Sequence, residues 1–372
     1  MRTSGNSPTS GAVSVAKSGA GTWVLSGANT YSGTTTLSAG TLVVGNNSAL
    51  GTGTLALAGG SLQGDGTARS LANNLSLTAN SSVAGNSALT FNGTLTNTAT
   101  ATLTIANTGA TAFGAINLTN SSTARTLTFD VGGTATVAGV IANGTGIGSF
   151  TKIGAGSLTL SGASTYTGAT AVNAGTLRVN GSLANTAVTI AGGATLGGSG
   201  TIAGGITLNG RLSPGNSPGL LTTGSETWNT GSSYVWQASA VNGLAGTGWD
   251  QVKINGTLDL TQLASVGSFT LSLASLGLDN TAGNVSDFND ASNYSFAFLT
   301  TTGGVNGFDA AKFTLDTSAF SNPFRGTWSV GLSGDGHTLN LNYAMAVPEP
   351  GTTAALIATL ALGAAVILRR RR

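Results

Sequence analysis

Residues that could do chemistry are few and widely spaced in this chain of 372 residues. His337 is the only histidine and cysteine is absent, which excludes multi-histidine metal sites, thiolate metal sites and thiol catalysis. A Ser-His-Asp triad would have to use His337 from the turn Asp335–Thr338, where no nucleophile elbow lies nearby. The sequence therefore predicts a solvated turn histidine, with no catalytic residue and no cofactor.

One loop concentrates carboxylate and amide oxygens, and it is the best candidate for a cation site. Its members are Asp279, Asp287, Asp290, Asn280, Asn284 and Asn289. Calcium favours such ligands on a flexible loop, but the Asp-x-Asp-x-Asn-Gly order of an EF-hand is missing. We favour a polar loop and leave the calcium site open as the alternative. A little further on, Asp309 and Asp316 flank Lys312, which predicts a surface ion pair.

Charge is scarce in the chain as a whole. Only 7% of the residues are charged, whereas about a quarter are charged in an average soluble domain. The net charge of +2 comes from the last four residues, because without them ten basic residues stand against twelve acidic ones. The body has no basic stripe, so a nucleic-acid partner is not expected.

The C-terminal segment, Val347–Arg372, combines a Pro-Glu-Pro tripeptide, an apolar run and four arginines. The run from Gly351 to Leu368 carries no charge and is just long enough for a hydrocarbon core of about 30 Å. Arg369, Arg370, Arg371 and Arg372 follow at once and resist translocation. We therefore predict a transmembrane helix over 351–368 with the arginines in the cytoplasm and the body outside.

Val347, Pro348, Glu349 and Pro350, followed by this helix and the arginine cluster, resemble the PEP-CTERM sorting signal of Gram-negative bacteria. The resemblance implies recognition by an exosortase, a membrane-embedded cysteine protease that acts near the Pro-Glu-Pro. It also implies delivery to the cell surface or the extracellular matrix. Two prolines fix an extended spacer with few backbone donors, which suits presentation to a protease.

At the other end, Met1–Gly21 does not have the features of a signal peptide. It has a single arginine and no apolar core of seven residues. Since a sorted protein needs such a signal, we expect either that the natural start lies upstream or that the chain is the C-terminal part of a longer repeat protein.

An internal repeat organises the body. Residues 17–46 recur without a gap at 152–181, with seventeen of thirty positions identical. Three short strands are predicted in the first copy, at Trp23–Leu25, Thr35–Leu37 and Thr41–Val44. The tripeptide Gly-x-Leu marks further corners, at Gly53, Gly60, Gly93, Gly156, Gly175, Gly181, Gly210 and Gly256. Strands this short must stack on neighbours to bury a face, which predicts a β-solenoid.

The two copies resemble the autotransporter-associated β-strand repeat of bacterial surface passengers. The matching elements are Lys17 or Lys152, then Gly-x-Gly, Leu-x-Gly, Asn-x-Tyr-x-Gly-x-Thr and Ala-Gly-Thr-Leu. The resemblance implies a right-handed parallel β-helix. Ser164 replaces an asparagine of the motif in the second copy.

These observations give an all-β chain in three parts. Residues 1–225 are predicted as the β-solenoid, 226–346 as an aromatic-rich β cap or continued solenoid, and 347–372 as the sorting signal. A separate β-sandwich in about 224–342 is the rival interpretation of the second part. Within the first part, Arg211–Gly219 holds two prolines and two glycines and predicts a tight turn.

Two functions follow. The favoured one is a non-catalytic exported spacer or adhesin, partnered by an exosortase-like protease, the membrane and extracellular polysaccharide. The alternative is a β-helix carbohydrate-active enzyme of the polysaccharide lyase or glycosidase type, which needs paired carboxylates or a basic residue with acidic partners on one face. Against it, the charged residues of 17–225 are scattered: Lys17, Asp65, Arg69, Arg125, Asp130, Lys152, Arg178 and Arg211.

Overall fold

The structure is a computed structural model that describes residues 12–346. Over this range the chain forms thirty-nine strands and one single-turn 3-10 helix, Ala310–Lys312. The first twenty strands are β1 (Val15–Lys17), β2 (Thr22–Leu25), β3 (Thr35–Leu37), β4 (Thr41–Val44), β5 (Leu55–Leu57), β6 (Ser61–Gly64), β7 (Arg69–Leu71), β8 (Leu75–Leu77), β9 (Ser81–Ala84), β10 (Leu89–Phe91), β11 (Leu95–Asn97), β12 (Ala101–Ile105), β13 (Thr111–Phe113), β14 (Ile116–Thr119), β15 (Arg125–Val131), β16 (Thr134–Val137), β17 (Ile141–Gly144), β18 (Gly148–Ile153), β19 (Ser157–Leu160) and β20 (Ala163–Ser164). The remaining strands are β21 (Thr170–Val172), β22 (Thr176–Val179), β23 (Ser182–Leu183), β24 (Val188–Ile190), β25 (Thr195–Gly198), β26 (Thr201–Ile202), β27 (Ile206–Leu208), β28 (Arg211–Pro214), β29 (Leu220–Thr223), β30 (Glu226–Trp228), β31 (Ser233–Ala238), β32 (Gln251–Ile254), β33 (Leu258–Asp259), β34 (Phe269–Ser275), β35 (Tyr294–Thr301), β36 (Val305–Asn306), β37 (Phe313–Ala319), β38 (Thr327–Leu332) and β39 (Thr338–Ala344).

These strands build a three-sided parallel solenoid, and the prediction of an all-β solenoid is confirmed. Face 1 consists of the sheet β1-β3-β5-β8-β11-β14-β17 and its continuation β20-β23-β26-β29-β32-β35. Face 2 is the thirteen-stranded sheet from β2 to β36, and face 3 is the eleven-stranded sheet from β7 to β37. A backbone hydrogen bond of 2.8 Å from Thr165 N to Ile141 O links the two sheets of face 1.

Alternation within each short strand puts one set of side chains inside the solenoid. In β15, Leu127, Phe129 and Val131 are fully buried, while the residues between them are half-buried on the outer surface. The leucines of the Gly-x-Leu tripeptides are all buried, as predicted: Leu55, Leu62, Leu95, Leu158, Leu177, Leu183, Leu212 and Leu258. Each buried leucine contributes roughly 1.5–3 kcal/mol, but only because the turns above and below cover it.

Turn length sets where the solenoid departs from regularity. On face 2, Thr22 is in register with Thr41, and Val188 is in register with Ile206, so the turns there are short. Further along the same face the turns are much longer, because Glu226 is in register with Leu258 and Leu258 with Val305. The extra residues include two excursions, 239–250 and 276–293, both at the corner where face 3 leads to face 1.

Beyond residue 225 the parallel ladder continues. β30 pairs with β27, and parallel pairing then runs on to β37. The pattern changes at β39, since it pairs antiparallel with both β35 and β38. Aromatic rings gather beside this hairpin, with Trp328 4.9 Å from Tyr343 and Phe288 5.2 Å from Phe320 between ring centres. In the range 12–346, no helix has the length and apolar character to cross a membrane.

The predicted turn over Arg211–Gly219 is wrong for its first half. Residues 211–214 form β28, and Pro214 is in register with Gly198 of the preceding turn. Pairing of β28 with β31 of the next turn covers only Arg211 and Leu212. Proline has no backbone N–H, and at position 214 none is needed for that pairing. Only residues 215–219 make the turn.

Candidate functional site

Each copy of the repeat builds a corner around one buried lysine. The Lys17 ammonium donates hydrogen bonds to Gly19 O at 2.7 Å and to Ala39 O at 2.8 Å. Lys152 repeats this arrangement with Gly154 O at 2.7 Å and Ala174 O at 3.0 Å. In both copies the second carbonyl belongs to the following turn, so the lysine ties two consecutive turns together at one corner.

A glycine faces each of these lysines and makes room for the ammonium group. Gly175 has a φ of 65°, and a Cβ placed on it would lie 2.7 Å from Lys152 Nζ and 2.4 Å from Gly156 O. Gly40 has the same conformation, with the corresponding Cβ 2.6 Å from Lys17 Nζ. The positive φ and the missing side chain are both required, which accounts for the Ala-Gly-Thr-Leu element of each copy.

A tyrosine closes the turn in each copy. Its hydroxyl lies 2.6 Å from the hydroxyl of a threonine four residues later, in the pairs Tyr31–Thr35 and Tyr166–Thr170. Tyr166 is fully buried, and this burial raises its pKa to about 12. The identical residues of the repeat thus share a structural role, since they form corners and interior contacts.

The two copies lie on different faces. In the first copy β1 belongs to face 1 and β2 to face 2, whereas the equivalent strands β18 and β19 belong to faces 2 and 3. Six complete turns along face 1 lead from β1 to β17, and β18 lies on the next face. The repeat therefore folds in the same way whichever side of the solenoid it occupies.

Face 3 also carries a shallow groove of about 230 Å³, which begins at β22, the last strand of the second repeat. Its walls are formed by Arg178 and Arg211, with Gly197 and Ser213 between them. The sequence indicated that these arginines are scattered, but two short turns bring them together, since Arg178 is in register with Gly197 and Gly197 with Ser213. Among the residues that the structure describes, no carboxyl group lines the groove.

Two carboxyl groups that the sequence analysis missed are buried in the interior. Glu226 accepts hydrogen bonds from Thr223 Oγ1 and Trp228 Nε1, each at 2.7 Å, and burial raises its pKa to about 7. Asp250 accepts from Gly219 N at 2.7 Å and Gln237 N at 3.0 Å, and burial raises its pKa to about 8. Alternation along the strand could have identified Glu226 as buried, because it shares the inward side of β30 with Trp228.

Two segments match the passenger-associated-transport-repeat family. They are residues 15–44 and 150–179, which contain the two lysine corners. No curated protein matches the chain. The passenger-associated-transport-repeats and the parallel solenoid together fit an exported surface protein of the autotransporter-passenger kind.

The acidic loop does not converge on a common point. Asp279 accepts from Thr281, Asp287 accepts from Val241 N and Asn242 N, and Asp290 pairs with Arg325 at 2.8 Å. Among residues 12–346, no three His, Cys, Asp or Glu side chains form a group that could hold a metal ion. Asp287 instead joins the two long excursions, since its partners lie in 239–250 and it lies in 276–293.

The remaining candidates have local roles. His337 Nδ1 lies 3.2 Å from Thr301 O, and the residue follows a turn that Asp335 stabilises. The predicted pair between Asp309 and Lys312 is not formed: Asp309 accepts from Ala311 N at 2.9 Å, and Lys312 Nζ donates to Gly307 O at 2.9 Å. The sorting residues Val347–Pro350, the predicted helix 351–368 and Arg369–Arg372 lie outside the described residues.

The lysine corner in the passenger-associated-transport-repeat gives a first testable prediction. Burial lowers the pKa of Lys152 to about 8, with Asp130 acting in the opposite direction, so the group is charged at pH 7. Lys152→Met keeps the apolar stem but leaves its carbonyl partners without a donor, which we expect to lower the free energy of unfolding by about 2–4 kcal/mol. Urea unfolding followed by circular dichroism measures this.

Lys17→Met is the matched comparison for this prediction. The same corner lies there at the first described turn, where Trp23 is 45% exposed although its counterpart Leu158 is fully buried. A loss at this position unravels less structure, so we expect a smaller effect. A Lys152→Met protein as stable as the wild type would show that the corner bonds do not stabilise the solenoid.

Proposed function

We propose that the chain is a non-catalytic, exported surface or extracellular-matrix protein whose solenoid is a rigid spacer and adhesive surface. The observation that carries the proposal is that both passenger-associated-transport-repeats are turns of one parallel ladder running from Val15 to Ala319. Such a ladder is long, and its outer surface is rich in Thr, Ser and Asn. These hydroxyl and amide groups suit weak contacts repeated along a polymer such as an extracellular polysaccharide.

Sorting is assigned to the tail in the same proposal. An exosortase-like membrane protease recognises Val347–Pro350 after residues 351–368 have entered the membrane, and Arg369–Arg372 hold the end of the chain in the cytoplasm. The support is the order of the three elements: a proline-fixed spacer, an uncharged run long enough to span the bilayer and a cluster of positive charge.

Fractionation and mass mapping of the C-terminus test export and sorting together. The full chain is expressed behind a signal peptide in a Gram-negative host, with and without an exosortase-like protease. We expect extracellular material that lacks Arg372 only when the protease is present, and retention in the membrane without it. A matched variant, Pro348→Ala with Pro350→Ala, keeps the helix and the arginines and should stay unprocessed. Extracellular protein with an intact Arg372 would overturn processing, and protein confined to the cytoplasm would overturn export.

The absence of catalysis is tested separately. Purified protein is incubated with a panel of neutral and acidic polysaccharides, and the products are assayed for new reducing ends and for unsaturated sugars. We expect neither to rise above the level of a buffer control. Formation of either product would replace this proposal with the lyase or glycosidase alternative.

A further inference from the structure

The groove on face 3 has a chemistry that the spacer role does not require. Arg178 lies on β22 and Arg211 on β28, with β25 between them. Two steps between hydrogen-bonded strands separate the two arginine-bearing strands by about 10 Å. Arg178, Gly197 and Ser213 form one column across the three strands, and Arg211 lies two residues before Ser213. The two guanidinium groups therefore flank the groove diagonally.

Gly197 creates the space between them. It is buried, and the position that a Cβ would occupy lies 2.6 Å from Ser213 O and 4.0 Å from Arg178 Nη1. The same guanidinium donates one long hydrogen bond, 3.5 Å, to Gly215 O, which leaves its other donors available. The floor of the groove is thus a buried backbone position without a side chain, and one of its walls is an arginine held by Gly215 O.

The two groove arginines have no acidic neighbour in the described part of the chain that would neutralise them. Within residues 12–346 the ion pairs are Arg69 with Asp65 and Arg325 with Asp290, so neither groove arginine has a carboxylate partner there. The other polar side chains at the groove are the hydroxyls of Thr176, Thr195 and Ser213. Planar donor groups beside hydroxyls suit a carboxylate or sulfate, which a guanidinium can bind through two parallel hydrogen bonds.

We propose that this groove binds the carboxylate or sulfate groups of a linear anionic polysaccharide. The inference rests on the proposed function in one respect, the exposure of the solenoid to extracellular polymer. Outer hydroxyls continue the column of Arg178 on the two preceding turns, at Thr159 and Thr136. These side-chain hydroxyls are placed to hydrogen-bond the hydroxyls of a sugar chain whose anionic groups bind the two arginines.

A nucleic acid fits the groove less well. Its backbone presents a charge at every nucleotide, and binding needs several basic contacts along its length. The described residues contain nine basic and eleven acidic side chains, and only two arginines meet at the groove. A polysaccharide with widely spaced charges and many hydroxyl groups needs few basic side chains, so it fits this groove better than a nucleic acid does.

Binding of full-length protein in detergent to immobilised polygalacturonate, dextran sulfate and neutral dextran tests the inference. We expect retention on at least one anionic polymer and none on dextran, and the stronger of the two identifies carboxylate or sulfate as the preferred group. Arg178→Gln and Arg211→Gln should each weaken binding about fivefold, and the double variant should abolish it. Arg125→Gln, which changes an arginine bonded to Ser121 elsewhere on the solenoid, is the matched control and should bind like the wild type.

Thermal unfolding of each variant separates loss of binding from loss of folding. Arg211 is exposed, and Arg178 is half-buried with a single hydrogen bond of 3.5 Å, so both changes should leave the midpoint nearly unaltered. Equal binding by the double variant and the wild type would overturn the inference. So would no binding to either anionic polymer, or tighter binding to a DNA duplex than to both. Because export is read from fractionation and binding from purified protein, a failure of one is distinguishable from a failure of the other.

Discussion

Gly175→Ala is expected to destabilise the centre of the solenoid by about 3–5 kcal/mol. The new Cβ would lie 2.4 Å from Gly156 O, a backbone atom of the preceding turn that cannot move without breaking the ladder. It would also meet Lys152 Nζ at 2.7 Å and displace the ammonium from its carbonyl partners. The urea midpoint of the full chain measures the loss.

Gly193→Ala is the matched control. Gly193 also has a positive φ, 82°, but nothing lies within 4 Å of the Cβ it would acquire. Only the conformational cost remains there, about 1–2 kcal/mol. If both variants lose the same stability, the close approach of Lys152 and Gly156 to Gly175 contributes nothing, and the lysine corner is not a tightly packed element.

Stability is expected to fall as the pH rises from 5 to 8, and Glu226→Gln is expected to remove part of that fall, with Asp250 responsible for the larger part. Burial raises the pKa of Glu226 to about 7, whereas the unfolded chain ionises near 4.5. A carboxyl group with a raised pKa gives stability that is complete below the unfolded pKa and lost as the pH passes the folded one. For Glu226 this difference is worth about 3 kcal/mol.

Glutamine imitates the neutral acid at this site. Its carbonyl oxygen can accept from Trp228 Nε1, and its amide can donate to Thr223 Oγ1, whose hydroxyl rotates to accept. Urea midpoints at pH 5, 6, 7, 8 and 9 should therefore decline less in the variant, with Asp250 supplying the decline that remains. Asp259→Asn is the control, because the Thr261 hydroxyl lowers the pKa of this exposed carboxylate and the change should leave the slope near pH 7 unaltered. A variant that keeps the full wild-type decline would contradict the assignment.

Much of the solenoid was predictable because its signals are local. A Gly-x-Leu tripeptide needs only a corner and an inward leucine, and both follow from alternation within a few neighbouring positions. The strands Thr35–Leu37 and Thr41–Val44 lie where the pattern predicts them. The repeated lysine also has a local partner, since Gly19 follows Lys17 by two residues.

The groove and the antiparallel end of the solenoid could not be predicted from such local patterns. Arg178 and Arg211 meet only if the lengths of two successive turns are known, and those lengths vary from turn to turn without a marker in the sequence. Likewise, β39 is inserted between β35 and β38, a choice set by packing of Phe288, Trp328 and Tyr343 across distant segments. Asp250 could not be singled out because its partners, Gly219 and Gln237, lie 31 and 13 residues away in the sequence.

The displacement of the second repeat by one face has a geometric consequence. Equivalent outer surfaces of the two copies point in directions that differ by one side of the three-sided cross-section. A straight ligand lying along the solenoid axis cannot touch both equivalent surfaces, so the copies do not act as two identical binding sites for it. What the copies share is the change of direction that the chain makes at a corner. The repeat therefore determines how the solenoid turns, and it does not determine which ligand the molecule binds.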